Sequence, residues 1–511
     1  MVFSSALAGC SLTPWPQEQS SQDLSAVQWA RPAAALLQGP RAQWRAINRL
    51  TYGPTPEVLA QVQAAKDPLA WALAQLDAAR AASRQAARLP PDLADLDRPL
   101  PALFEGARKE RDARASVPAG TALDESLPGD KRFDFSEPAS VYFFNRTQVN
   151  KATAWRLAAC SRDEVEQALL ARMTEFWFNH FNVHQNKGPV RPFAGHYALH
   201  VARAHALGKF EDLLLASARH PAMLYYLDQW QSVSPTLAGG KASARGLNEN
   251  YARELMELHT LGVQGGYTQA DVRALANILT GWTVSPQSDS GFEFVARNHA
   301  PGPKKWLGQT LGATPADIGV AEGEQAIRIL ARHPATARRV STRLAQYFVA
   351  DAPPQALVEA MTRTFLQTDG DIYRVMQVLI RSDDFWRPER RLYRTPFDFA
   401  CAALRTVQAG HNRGAWLQAL NYTAVAGQPI QNWPTPDGYA LDAATWLSPE
   451  ALTRRIDFAL NMARQAQAQA QAPLREDLYA YLSAATVHTL QQQPAPQRMG
   501  LMLGSPEFLY K

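Results

Sequence analysis

Apolar residues in this chain recur at intervals of three and four far more consistently than at intervals of two, which commits most of it to amphipathic helices. Helical patterns cover Ala42 to Leu50, Pro56 to Val62 and Pro68 to Leu76. Thr268 and Asp271 form a capping-box pattern ahead of Val272, Leu275, Ala276 and Leu279, with Gly281 at the end. Pro334 suits the first turn of a helix carrying Ala337, Val340, Leu344 and Phe348, and further helices start near Pro354 and Asp371. Ser161 and Glu164 predict another helix, running to about His184. Strand signals are sparse, Phe292 to Val295 being the best, so the expected fold is all-α with at most a short β-hairpin.

From Leu89 to Glu137 the rhythm fails. Six prolines and a charge cluster between Glu105 and Arg114 predict an exposed insertion or linker. The expected organisation is therefore an export segment and tether over 1–23, N-terminal helices over 24–88 and the insertion over 89–137. The main helical domain then spans 138–400, with C-terminal helices packed on it over 401–511. Gln-Ala alternation from Gln465 to Ala472 reads as an exposed helix extension or link. V-L-I-R-S-D-D-F ending at Phe385 and L-M-L-G-S-P-E-F ending at Phe508 echo each other as a helix end followed by a turn.

With 511 residues, 46% of them hydrophobic, a large core can form, and no run is apolar enough to span a membrane. A net charge of only +5 with scattered arginines argues against nucleic acid as a partner. Three separated cysteines make neither a disulfide framework nor a C-x-x-C pair. Cys10 ends Leu-Ala-Gly-Cys, which resembles the lipobox of bacterial lipoproteins, so lipidation and an exported, periplasmic or membrane-anchored location are expected. Only nine residues precede it, which fits a start codon placed too far downstream.

The segment Asn248 to Gly262, N-E-N-Y-A-R-E-L-M-E-L-H-T-L-G, concentrates the chemistry. Asn248 is an N-cap, Glu249 suits the positive end of the helix dipole and Gly262 suits the left-handed stop. At about 100° per residue, Glu249, Asn250, Arg253, Glu254 and Glu257 share an arc of roughly 140°. Tyr251, Ala252, Leu255, Met256 and His259 occupy the other side. Two readings follow: a solvated, salt-bridged face, or carboxylates facing a cleft.

Histidines form the second constellation. His180 and His184 lie four apart, as do His196 and His200, and His205 follows. Two helices folded together would gather imidazoles for zinc or another divalent transition metal, while buried histidines bonded to backbone explain the spacing without one. No G-x-G-x-x-G, G-x-x-x-x-G-K-[ST] or G-x-S-x-G appears, which leaves nucleotide binding and a nucleophile-elbow hydrolase without local support. Carboxylates and histidines suit general acid/base work instead.

W-F-N-H-F (177–181), H-A-L-G-K-F-E-D-L-L (205–214), H-P-A-M-L-Y-Y-L-D (220–228) and the Asn248 segment occur in that order. Y-T-Q-A-D-V-R (267–273), L-T-G-W (279–282), H-A-P-G-P-K (299–304) and H-P-A-T-A (333–337) follow. Together they resemble the bacterial domain-of-unknown-function 1800 family, from about Arg41 to Phe508 outside the Leu89 to Glu137 stretch. The resemblance implies a helical, usually exported protein of unassigned activity, often encoded beside a sulfatase-like protein of the domain-of-unknown-function 1501 family. Its motifs cover Asn179, His180, His205, Glu249, Asn250, Arg253, Glu254, Glu257, Trp282, His299 and Lys304. They omit His184, His196 and His200, so His180, His205 and His299 with a glutamate become the better metal set. The family's usual H-D-x-G reads His299-Ala300-Pro301-Gly302 here, without the acid.

Two functions are expected from these residues. One is an exported hydrolase or lyase on a polysaccharide, with Glu254, Glu257, Arg253, Glu249 and Asn250 catalytic and Trp177, Asn179, Trp282 and Lys304 contacting substrate. The other is a non-catalytic envelope scaffold or chaperone for the sulfatase-like partner. A deep pocket lined by Glu254, His180, His299 and Lys304 favours the enzyme; the same residues fully paired beneath the surface favour the scaffold.

Overall fold

The computed structural model describes residues 31–118, 132–136, 140–235, 246–314, 319–468 and 475–511. Cys10 and the rest of segment 1–23 lie outside them. The fold is all-α. The strands among the described residues make two antiparallel hairpins: β1 (Trp282–Val284) with β2 (Phe292–Phe294), and β3 (Lys304–Trp306) with β4 (Gln309–Leu311). Trp282 sits opposite Phe294, and Lys304 opposite Leu311.

The core is built around helices with no solvent face. Every residue of Ala168–His180 and of Pro396–Thr406 is buried, and Phe144–Ser161 is buried from Gln148 onward. Their charges have partners, because an unpaired ion at this depth costs several kcal/mol. Arg172 lies 3.2 Å from Asp398, and the Lys511 ammonium reaches the same carboxylate. Burial alone would raise the proton affinity of Asp398; Arg172 and Lys511 overcome it and hold the carboxyl well below the usual range.

Cys160 and Cys401 form a disulfide between two of these central helices, with Cα atoms 5.7 Å apart. This corrects the expectation drawn from cysteine count. Three cysteines allow one bridge, and two of them are brought together across 241 residues of sequence.

Local chemistry sets many helix ends. Thr268 and Asp271 complete both arms of the capping box, with Asp271 N–H donating to Thr268 Oγ1 at 3.2 Å and Thr268 N–H to Asp271 Oδ2 at 2.8 Å. Pro334 opens Pro334–Phe348, and Ala337, Val340, Leu344 and Phe348 are all buried. Each H-P-A motif is a cap. Nδ1 of His220 and of His333 accepts from the backbone N–H two residues on, at 3.1 Å in both cases, ahead of a proline at the first helical position. The echoed octets both end a helix and start a one-turn successor, Asp383–Trp386 after Ser382 and Pro506–Leu509 after Ser505.

Two local expectations fail. Ser161 closes Phe144–Ser161 instead of opening a helix, its hydroxyl donating to Leu157 O at 2.5 Å, and Gln167 caps Ala168–His180. Within 89–137, Leu100–Ala115 is a helix that buries Leu100, Leu103 and Glu110, so the stretch is not merely exposed. Pro90, Pro91 and Pro99 precede the helix, Pro101 sits in its first turn, where it is tolerated, and Pro118 follows its end.

Candidate functional site

Asn248 caps the polar segment as expected, accepting from Tyr251 N–H at 3.1 Å while its amide holds Leu227 O at 2.7 Å. Tyr251, Ala252, Leu255, Met256 and His259 are buried. Glu249–Glu254 is regular α-helix, and Leu255–Thr260 then widens into π-type turns before Gly262 at φ +85°. A wider turn advances each residue through less angle, so a wheel drawn at helical pitch misplaces Glu257 relative to Glu254.

The polar face divides into two kinds of residue. Glu249 pairs with Arg273 at 3.0 Å and accepts from Gln269 Nε2 at 2.7 Å, while Arg253 donates to Gln269 Oε1 at 2.8 Å. Gln269 thus bridges Glu249 and Arg253, in place of a direct ion pair between Arg253 and either neighbouring glutamate. Asn250 is exposed. This strip is a surface lattice.

Glu254 is different. It is half-buried and makes no hydrogen bond or ion pair with a described residue. Burial raises its proton affinity, and the charges of Glu257 and Asp437 add to that against Arg253. Glu257 accepts from Tyr267 OH at 3.3 Å and feels Arg339, whose Nε donates to Leu258 O at 3.0 Å. Arg343, one turn on from Arg339, has a buried Nε without a partner. Burial and then Arg339 lower its proton affinity to about 10, with Asp437 opposing. Three carboxylates and two guanidinium groups therefore share one neighbourhood, and Glu254 and Arg343 remain unspent.

The W-F-N-H-F motif positions the loop that brings Asp437 in. Asn179 clamps Tyr439, accepting from its N–H at 2.6 Å and donating to its O at 3.1 Å. Asn182 donates to Trp433 O at 3.1 Å and Thr435 O at 2.8 Å. A Cβ on Gly438, which sits at φ +72°, would lie 2.2 Å from Asn179 O, so the close approach needs glycine. Tyr226 OH donates to Pro434 O at 2.8 Å, and both Asp437 and Glu254 act on that phenol. Asn182, Tyr226, Tyr267, Arg339, Arg343 and Asp437 belong to the neighbourhood without having been singled out in the sequence. The signals available were the quoted motifs that contain Tyr226 and Tyr267 and the four-residue spacing of Arg339 and Arg343 beside the apolar stripe.

The histidines do not assemble as a metal centre. His180 is buried with Nε2 3.0 Å from His259 O, and its ring packs against Phe176, Trp177, Phe181 and Phe210. That bond ties Ala168–His180 to the segment carrying Glu254. His205 is partly buried with Asp212 as its charged neighbour. His299 faces Thr280 O through Nδ1 and Glu322 Oε2 through Nε2, both at 2.9 Å. Among the described residues no three metal-ligating side chains are placed to hold an ion, so the set His180, His205 and His299 is corrected. The other histidines are spent separately, His184 on Trp433 O at 3.2 Å, His196 on His220 at 3.0 Å and His200 on Asp97 at 2.7 Å.

Trp177 and Trp282 belong to the core. Trp177 and Trp282 are fully buried, Trp177 Nε1 donating to Ala206 O at 2.8 Å and Trp282 packing on Phe292 and Gly323. Neither has a face for a sugar, which corrects their assignment as substrate contacts; Asn179 likewise spends its amide on Tyr439. Lys304 donates to Glu322 Oε2 at 2.9 Å and Ala300 O at 2.6 Å, in a sealed triad with His299. The acid missing at Ala300 is thus replaced in space by Glu322, from Val320–Arg332.

The family model described as Protein of unknown function (DUF1800) matches residues 45–510. No curated protein and no solved structure matches the chain.

Proposed function

Since the chain belongs to the DUF1800 family, whose function is unknown, we propose its activity from the site itself: acid/base cleavage of a polysaccharide, by hydrolysis or elimination, outside the cytoplasm. The observation that carries this reading is the half-buried Glu254, without a hydrogen bond or ion pair among the described residues, which feels the charges of Glu257 and Asp437, while Asp437 in turn acts on Arg343. A lattice would pair these groups, as it ties Glu249 to Arg273 and Arg253 to Gln269. Glu254, whose proton is held more tightly than usual, donates to the leaving glycosidic oxygen. Glu257, whose charge acts on Arg339, is the partner carboxyl that takes a proton from water or from the sugar. Arg343 offers its guanidinium to a substrate oxygen. Export is supported by the buried Cys160–Cys401 disulfide, which belongs in an oxidising compartment. Anchoring through a lipidated Cys10, at the end of Leu-Ala-Gly-Cys, goes with it.

The test is a panel of neutral and acidic polysaccharides incubated with the protein, following new reducing ends and the ultraviolet absorbance of an eliminated product. Glu254→Gln should abolish turnover with an unchanged melting temperature. Glu254→Gln with full activity ends the proposal.

A second reading, a scaffold or chaperone for a sulfatase-like partner of the domain-of-unknown-function 1501 family, draws support from a different fact. His180, His299 and Lys304 are fully paired beneath the surface, which is architecture and not chemistry. Under that reading the Glu249–Gln269–Arg273 strip is the contact, and Glu249→Arg abolishes co-purification with the partner while Glu254→Gln does not.

A further inference from the structure

A cavity of about 470 Å³ near Gln75 and Arg203 has its main charges already matched, Arg203 with Glu166 and Arg405 with Asp163. A smaller one, about 200 Å³, is not balanced in this way. Arg41, Arg45, Arg390 and Arg391 line it, with Glu507 the one carboxylate side chain in the wall. Glu507 is turned to other work, accepting from Ser483 N–H at 2.8 Å and from Thr486 Oγ1. Lys511 also borders the space, but its ammonium is committed to Asp398 in the core.

The four guanidinium groups differ in how they are held. Arg45 donates to Trp386 O, which fixes its direction, and Arg390 donates to Asp384 at 3.3 Å. Arg41 and Arg391 are exposed and make no hydrogen bond or ion pair with a described residue. Two of them stand close enough to Arg45 to be felt: after burial and against the opposing charge of Glu389, Arg41 and Arg391 both press Arg45 toward losing its proton, to about 10. Glu389 itself is exposed and spends its closest contact, 3.5 Å, on Arg387. The mouth is rigid on one side, where Trp44 stacks on Tyr481 at 5.5 Å, and Tyr510 and Ser483 add polar edges.

Like charges gathered at a concave surface repel, and among the described side chains only Asp384, spent on Arg390, and the exposed Glu389 oppose them, which leaves Arg41 and Arg391 without an anion. Forked guanidinium donors match the oxygens of a tetrahedral oxyanion in pairs, whereas a single ammonium would act only as a point charge. We propose that this cavity, formed by Gly39–Leu50 and the segment 388–391 against the C-terminal helices, is a binding site for a phosphate or sulfate group carried on a small polar molecule. It is independent of the Glu254 site.

The test uses the full disulfide-bonded chain and isothermal titration with inorganic phosphate, inorganic sulfate, glycerol phosphate and a monosaccharide sulfate, against sodium chloride at equal ionic strength. Saturable binding of a phosphate or a sulfate compound is expected, and the preferred member of the panel identifies the source. Arg41→Ala/Arg391→Ala removes two unpaired side chains and should weaken that binding about tenfold or more. The same double variant, without ligand, should melt no lower than the parent, because repulsion is relieved. Arg88→Ala, in the other cavity, should leave binding unchanged. If the double variant does not fold, Arg391→Lys is measured in its place and should weaken binding through loss of the paired donors. Equal heats with chloride, no saturation, or less than about a tenfold loss in the double variant overturns the proposal.

Discussion

Acid should unfold this protein well before its carboxylates protonate. His180, His196, His220 and His259 are all held below the usual histidine range, His196 and His259 to about 3, with burial the largest cause in each. Bonding says the same independently. Ala222 N–H donates to His220 Nδ1, so His220 carries its proton on Nε2 and gives it to His196 Nδ1. Neither ring can accept a second proton on Nδ1 without breaking one of those bonds. Arg339 and Arg343 add repulsion around His180, and Arg339 around His259. The unfolded chain, with histidines near 6.5, therefore binds more protons than the folded one below that pH, and stability falls as pH falls. At pH 5 each such histidine costs about 2 kcal/mol, so four cost roughly 8 kcal/mol relative to pH 7.5, with a slope near 5 kcal/mol per pH unit. That is comparable to the whole stability of an ordinary domain, typically about 5–15 kcal/mol. Glu254 acts with the opposite sign, its raised proton affinity adding stability on acidification, but it is only half-buried and is one group against four. Urea unfolding at pH 7.5, 6 and 5, with calorimetric proton uptake on unfolding, measures this directly. An uptake near four protons at pH 5 is expected; a change under about 2 kcal/mol from pH 7.5 to 5, or an uptake below one proton, refutes the reasoning.

Reducing the disulfide, or the double substitution Cys160→Ala/Cys401→Ala, should lower unfolding free energy by roughly 5 kcal/mol on the chain-entropy account, because the bridge closes a long loop; denaturant titration with and without reductant reads it. Glu322→Ala should destabilise by about 3–5 kcal/mol, since it leaves Lys304 and His299 facing an empty buried site, and a lowered melting temperature checks it. Gly438→Ala should loosen the loop that Asn179 clamps, raising amide exchange at Tyr439.

What could be read in the sequence was what short range decides. The Thr268 and Asp271 box, the Asn248 cap and the stripe after Pro334 are set by residues within a turn or two, and they appear as expected. Phe144–Ser161 was illegible for the opposite reason: buried almost all round, with Gln148, Asn150, Lys151 and Arg156 inside, it shows no apolar stripe to detect. The widened turns after Glu254 depend on packing and not on spacing. Glu322 supplies the acid for His299 from another helix, and Cys401 meets Cys160 from the far end of the core, so neither partner has a local mark. Trp177 and Trp282, expected at the substrate, lie in the core, which large aromatic rings fill more often than they line sugar sites.

Within the polar segment the ionisable groups differ in what they are bonded to. Residue type alone made Glu249, Arg253, Glu254 and Glu257 equivalent, and helical geometry put them on one face. Contacts separate them: Glu249 and Arg253 are consumed by Gln269 and Arg273, and Glu257 is partly consumed by Tyr267, while Glu254 is left with no donor. His299, Lys304 and Glu322 carry the same chemistry in principle, yet they are bonded to one another in the interior through Glu322 Oε2, with Oε1 left without a partner, and removing a member damages the fold. The comparison of Glu254→Gln with Glu322→Gln follows from that difference. The first should leave the melting temperature in place and act on turnover, and the second should lower the melting temperature whatever it does to turnover. If Glu254→Gln destabilises as much as Glu322→Gln, then Glu254 is a structural carboxyl whose partner the folded chain does supply, and the acid/base reading loses the observation on which it stands.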